Sequence, residues 1–162
     1  TIPFSDIPTA FAFRNDLVAV GTSDVKVTLV SGGTGPNKTI TPFQLVHHKK
    51  ITQLAFVGNH LITTADDEYI QIFDIATQIC LHTFEGWPSY YWWSEGYRGV
   101  TSLYADEWRL VAGYVESKFQ IFDLRTYKKT AVHKLWDQKR FAGTSSSVTS
   151  LDVSGFRMAV GS

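Results

Sequence analysis

Residues 51–74, ITQLAFVGNHLITTADDEYIQIFD, and residues 100–123, VTSLYADEWRLVAGYVESKFQIFD, superpose without a gap at an offset of 49. Ile51 falls on Val100, Thr52 on Thr101, Leu54 on Leu103 and Leu61 on Leu110. The two stretches end alike, with Gln71-Ile72-Phe73-Asp74 on Gln120-Ile121-Phe122-Asp123. A self-match of this length means one structural unit used more than once.

Each unit consists of short apolar runs separated by turn residues. Ile51-Thr52-Gln53-Leu54-Ala55-Phe56 alternates as a half-buried strand does, and Gly58-Asn59 turns the chain. His60-Leu61-Ile62-Thr63-Thr64-Ala65 is a second run and Asp66-Asp67-Glu68 a second turn. Tyr69-Ile70-Gln71-Ile72-Phe73-Asp74 alternates again, and Gln78-Ile79-Cys80-Leu81-His82-Thr83-Phe84 follows as a fourth strand. No apolar spacing of three and four residues persists long enough for a helix. Four short antiparallel strands in roughly 40 to 50 residues, repeated, predict the blades of a β-propeller and an all-β fold.

The same unit extends outward in both directions. Before it, Thr9 to Phe13, Leu17 to Gly21 and Val25 to Val30 read as three strands of a more divergent copy, with Thr39 to Val46 as its outer strand. Pro42 in that outer strand fits an edge, where a missing N–H is tolerated. After it, Val148-Thr149-Ser150-Leu151 is identical to Val100-Thr101-Ser102-Leu103 at an offset of 48, and opens a copy only two strands long. The expected blades cover residues 9–46, 47–86, 100–136 and a partial 148–162. A blade buries its faces only against neighbouring blades, so about three and a half copies predict a fragment of a larger ring. The rest of the propeller, or a companion chain, is therefore an expected partner.

Composition narrows the function classes. The 162 residues carry 15 Lys plus Arg and 15 Asp plus Glu, a formal net charge of zero. General binding to nucleic acid or anionic membranes needs a basic field, which this balance disfavours. A single cysteine, Cys80, excludes an internal disulfide framework. With no signal-peptide pattern after Thr1 and no apolar run near the ~18 residues of a membrane span, we expect a cytoplasmic or nuclear protein with no membrane partner. Asn37-Lys38-Thr39 is then a chance match to a glycosylation sequon.

The units resemble WD repeats, whose third strand ends in Trp-Asp. Phe73-Asp74 and Phe122-Asp123 stand at that place, and Val30-Ser31 in the first copy. The family's turn aspartate, six residues earlier, matches Asp67 and Asp24, with Glu116 in the third copy; its Gly-His survives as Val46-His47. The resemblance implies a propeller of about seven blades and hydrogen bonds linking His47, Thr63 and Asp67. It also implies a non-catalytic scaffold that docks other proteins, substrate receptors of ubiquitin ligases among them. No cofactor is implied.

Candidate sites follow from where the loops fall. The link from residue 87 to 97 holds Trp87, Tyr90, Tyr91, Trp92, Trp93 and Tyr97. Such rings supply large contact areas with a polar handle, although some of them can equally fold back over the blade. His48, Lys49 and Lys50 follow His47 in one equivalent link and Lys139 and Arg140 lie in another; with Arg98 they form an expected basic rim for an acidic or phosphorylated peptide. The bland reading of that rim is solvated loop charge. Asp66-Asp67-Glu68 lacks the spaced ligands and glycine of a calcium loop, and the five histidines show no zinc spacing. Cys80 and His82, two apart on one strand, are expected to share a face, but no third group orients them for catalysis. There is no Gly-x-Gly-x-x-Gly or Walker loop. Two alternatives remain: an RNA- or ribonucleoprotein-associated propeller that interleaves aromatics with Arg98 and Lys139, and a ligand-binding or enzymatic propeller with a central-channel site. The second would draw on the first-strand starts, which hold Thr9, Thr52, Thr101 and Thr149.

Overall fold

A computed structural model describes residues 6–32, 39–43, 47–87, 99–115, 118–134, 147–154 and 157–161. Among them there are fourteen strands and no helix. The first sheet has the order β1 (Pro8–Arg14), β2 (Leu17–Thr22), β3 (Val27–Ser31), β4 (Thr39–Phe43). The second is β5 (Ile51–Val57), β6 (His60–Ala65), β7 (Tyr69–Asp74), β8 (Cys80–Glu85). The third is β9 (Ser102–Ala105), β10 (Arg109–Tyr114), β11 (Lys118–Asp123), β12 (Lys128–Lys134). A two-stranded sheet, β13 (Ser150–Ser154) and β14 (Arg157–Gly161), follows. Every neighbouring pair is antiparallel.

Successive sheets pack face to face in chain order, a propeller-like arrangement. One core lies between the first two sheets, where Ala10, Ala12, Ala19, Val27 and Leu29 meet Ile51, Leu54, Leu61 and Phe73. A second lies between the next two, where Ile62, Ile70, Ile72 and Phe84 meet Val100, Leu110, Tyr114 and Phe122. Leu61 and Ile62 are neighbours on one strand, point to opposite faces and are both fully buried. The second sheet therefore has apolar cover on both sides, and each such side chain contributes about 1.5–3 kcal/mol by leaving water. On the far side of the first sheet Phe11 is 53%, Phe13 73% and Ile40 48% exposed, while Val20 and Val30 between them are buried.

Small residues set the spacing between sheets near the first-strand starts. A Cβ on Gly21 would lie 2.6 Å from Ile51 Cγ2, and one on Gly113 would lie 2.6 Å from Val148 Cγ1. The β-branched residues Ile51 and Val148, ahead of the second and fourth sheets, thus each seat against a glycine of the sheet before.

Three expectations need correction. Val25 lies in a turn at φ 65°, so the third strand of the first sheet starts at Val27. Glu68, at the same place in the second sheet, has φ 70°. Gln78 sits at φ 58° in the turn before β8, which starts only at Cys80. Cys80 and His82 do not share a face. Phe73 pairs with Cys80 and Ile72 with His82, a bulge that leaves Leu81 between them without a partner. Cys80 packs against the first core, whereas the His82 ring stacks on Tyr127 at 4.7 Å, beside the second.

The contact at Gly21 generates a prediction. Gly21→Ala should destabilise the fold by about 1–3 kcal/mol through overpacking, measured by urea denaturation. In combination with Ile51→Ala the loss should be smaller than the two single losses added, because the smaller side chain makes room for the methyl.

Candidate functional site

The second-to-third-strand turns and the fourth-to-first links lie at the same end of the sheets, and at the second sheet that end is locked by one imidazole. His47 Nδ1 lies 2.9 Å from Asp67 Oδ2, and its Nε2 lies 2.8 Å from Thr63 Oγ1. Asp67 also accepts the backbone N–H of His48 at 3.0 Å and of Tyr69 at 3.2 Å. The turn, the link and β6 are thus held together by side chains that are almost wholly buried. Burial pushes the Asp67 carboxyl up, but the hydrogen bond and charge of His47 and the two N–H groups outweigh it, and it sits below its ordinary value. The connectivity of carboxylate, imidazole and hydroxyl is that of a nucleophile triad. Thr63 is 0% exposed, so no substrate reaches its oxygen; the arrangement is a lock.

Beside the lock the chain presents charge. His48 and Lys49 are exposed. Lys50 is half-buried and its Nζ lies 3.3 Å from Asp66 Oδ2. The other oxygen, Asp66 Oδ1, is buried without a hydrogen-bond partner. Gly99 passes close over it, and a Cβ there would come within 2.7 Å. A cleft of about 330 Å³ opens here, lined by Thr9, Thr52, Thr101, Lys50 and Asp66. Its threonines are engaged: Thr101 Oγ1 donates to Val148 O at 2.6 Å, and Thr52 Oγ1 bonds to Thr64 Oγ1 at 2.9 Å.

Of the aromatic link, Trp87 alone is within the described residues. It packs against the second core, and Lys118 Nζ lies 4.7 Å from its ring centroid. Its indole therefore seals the gap between two sheets and anchors the start of the link. Tyr90, Tyr91, Trp92, Trp93, Tyr97, Arg98, Lys139 and Arg140 lie outside the described residues, as do Val46, Glu116 and Asn37. The structure thus puts His48, Lys49, Lys50 and Trp87 at one end of the second sheet. Among the described residues no three His, Cys, Asp or Glu side chains gather as a metal site requires.

Sequence reasoning passed over the opposite end. There Trp108 is 54% exposed in the turn between β9 and β10, and Arg125 lies 5.0 Å from its ring centroid. Arg125 is paired to Asp123 at 3.0 Å and Arg109 to Asp106 at 2.7 Å. A cleft of about 490 Å³ lies beside them. The available signal was the repeat itself, because Trp108 replaces Asn59 and Arg125 replaces Ala76 at the offset of 49.

No family model matches the sequence, and no curated protein matches it. Solved structures do. The crystal structure of the computationally designed Ika4 protein superposes with a TM-score of 0.74 at 21% identity, over 98% of this chain and 87% of Ika4. The computationally designed Ika8 protein superposes at 0.73 and 21% identity, over 94% of this chain but only 42% of Ika8. At that identity the likeness shows the fold alone.

The His47 lock generates the second prediction. Asp67→Asn should lower stability by about 1.5–3 kcal/mol at pH 7, because it removes a carboxylate that His47 and two backbone N–H groups hydrogen-bond. The folded value of this carboxyl lies below the ordinary 3.8. Its contribution is therefore present above that pH and is lost as the pH falls through the folded value. Denaturation curves should show the gap between Asp67→Asn and the native protein wide at pH 7 and narrowing below about pH 4.

Proposed function

We propose that the chain is part of a WD-repeat-like β-propeller, a ring of about seven blades, that serves as a non-catalytic docking scaffold. Partners bind at the end carrying the Asp66-Asp67-Glu68 turn, the His48-Lys49-Lys50 link and the link that begins at Trp87. The observation that carries the reading is the His47 lock. It fixes the backbone under His48 and Lys49 while leaving both side chains in solvent. Loops held on a rigid frame give specificity at low ordering cost. The ionisable groups nearby serve structure, with Asp67 holding the link and Asp66 pairing with Lys50. Exposed His48 and Lys49 suit an acidic or phosphorylated peptide.

One observation favours a second reading, a ligand site at the channel. The 330 Å³ cleft sits at the first-strand starts and combines an ammonium, a carboxylate and hydroxyls. A thermal-shift screen with small zwitterions addresses it, and a stabilisation abolished by Asp66→Ala would favour it over the scaffold.

The scaffold reading predicts that His48→Glu/Lys49→Glu weakens binding to acidic and phosphorylated peptide arrays by about tenfold, mainly through slower association. Ala at Tyr90, Tyr91, Trp92 and Trp93 should weaken it further, while circular dichroism stays unchanged. Trp108→Ala, at the far end, should have no effect on these peptides. Binding indifferent to both the charge reversal and the aromatic replacements overturns the proposal. A steep salt dependence with single-stranded RNA, in place of peptide binding, would favour the ribonucleoprotein alternative.

A further inference from the structure

The outer edges of the three four-stranded sheets are blunted in different ways. β4, β8 and β12 each stand last in their sheet and pair along one side only. Such an edge is a template for another strand unless something discourages it. β4 carries Pro42, which offers no N–H. β8 is bent by the bulge at Leu81 and carries no Lys, Arg or Pro. β12 has the same bulge at Thr130, whose Oγ1 donates to Ile121 O at 3.1 Å. It carries Lys128, Lys129 and Lys134 as well. Successive sheets meet most closely through their first strands, β5 with β9 and β9 with β13. β12 is the strand of the third sheet farthest from that line, so its open edge belongs to the outer rim.

Charge is concentrated on this rim. Residues 118–134 hold Lys118, Arg125, Lys128, Lys129 and Lys134 against the single carboxylate of Asp123, a net charge of +4. The matching residues 69–85 hold Asp74 and Glu85 and no Lys or Arg, a net charge of −2. In a chain that is neutral as a whole, the outer hairpin of the third sheet is a local basic field. Lys26, Lys50, Arg109 and Arg125 each have a carboxylate partner within the chain. Lys128 and Lys129 are exposed and have none among the described residues. Lys129 stands opposite Phe122, with its Nζ 5.9 Å from that ring centroid, and Lys128 stands opposite Asp123. The two lysines therefore flank the edge on alternate faces. Past the bulge the ladder is regular from Ala131 to Lys134, and Val132 is 44% exposed.

We propose that the β12 edge receives an extended acidic segment of a partner protein as an added strand. The segment runs antiparallel to β12, sets carboxylates beside Lys128 and Lys129, and lays an apolar side chain against Val132. Backbone hydrogen bonds supply affinity, and opposite charges across the added pair supply the choice of partner. The same lysines reject a second copy of β12, because two-fold pairing would bring two basic edges together. Protection of the edge alone would need no more than the bulge, as β8 shows. A nucleic acid has charge of the right sign but no row of amides to match the edge. The inference is independent of what docks at the His48 end.

The test uses the whole 162-residue chain and a fluorescein-labelled peptide, Glu-Thr-Val-Thr-Val-Glu-Glu, followed by anisotropy at low salt. The peptide should bind and slow amide hydrogen exchange at residues 128–134. Lys128→Glu/Lys129→Glu, at two exposed positions, should weaken binding by about tenfold while circular dichroism stays unchanged. The same peptide with its first valine replaced by proline keeps its charge but cannot complete the ladder, and should lose most of its affinity. Absence of binding, equal binding of the proline peptide, or indifference to the lysine reversal each overturns the proposal. Protection at residues 47–50 in place of 128–134, or preference for single-stranded RNA over the peptide, overturns it too. The scaffold reading is decided separately, by the substitutions at His48, Lys49 and the aromatic link.

Discussion

The physical constraint on which this structure depends is that its sheets have no face suited to water. Leu61 and Ile62 alternate across β6 and both are fully buried, so a partner sheet is required on each side. A four-stranded sheet of about 35 residues cannot hold a core of its own. The apolar effect therefore acts between sheets, and folding of one depends on the next. The same demand explains the glycines: Ile51 and Val148 each start a sheet and need a flat spot on the one before.

Once the faces are committed to packing, polar chemistry is confined to the two ends of the sheets, and each end is handled differently. At the His47 end one buried carboxylate gathers an imidazole and two N–H groups and fixes a link to a turn. At the Trp108 end the aspartates work locally. Asp74 and Asp123 cap the turn that follows them, and Asp106 holds Arg109 three residues on. Burial pushes the Asp106 carboxyl up, yet the Arg109 hydrogen bond and charge and the backbone N–H groups of Trp108 and Arg109 together outweigh it. These short-range pairs are partly solvated, so each adds little to stability. What they do is set turn shape, and turn shape decides which side chain reaches the neighbouring sheet.

That division explains how much of the molecule was legible in its sequence. Strand number, order and partners followed from the 49-residue offset and from Gly58-Asn59 and Asp66-Asp67-Glu68, because those features are local. The His47, Thr63 and Asp67 set was legible through the resemblance, since its members hold fixed positions within a unit. The bulge at Leu81 was not, because a two-residue alternation assumes an unbroken ladder, and the pairing partner that breaks it lies across the sheet. Trp87 counts in the sequence among rings that either bind a partner or fold back over the blade, and its packing against the second core depends on a sheet that sequence spacing does not place. The left-handed residues were hidden for a simpler reason. Val25, Gln78 and Tyr127 occupy positions where Gly or Asn would have signalled a turn.

The divergence between copies carries more functional meaning than their agreement. Some positions that pack sheet on sheet are held closely, with Leu61 and Leu110 identical and Ile75 and Leu124 differing by a methyl position, while others repack, as where Ala65 falls on Tyr114 and both are buried. Asn59 to Trp108 and Ala76 to Arg125 are different in kind, since neither change improves a core and the pair forms a stacked unit half in water. An indole left 54% exposed loses the benefit of burial, and an arginine stacked on it restricts its own rotamers for a modest return. Both changes fall on the sheet that lines the 490 Å³ cleft. Such a pair, unfavourable in isolation and outside both cores, sets the turn end of the third sheet apart from that of the second.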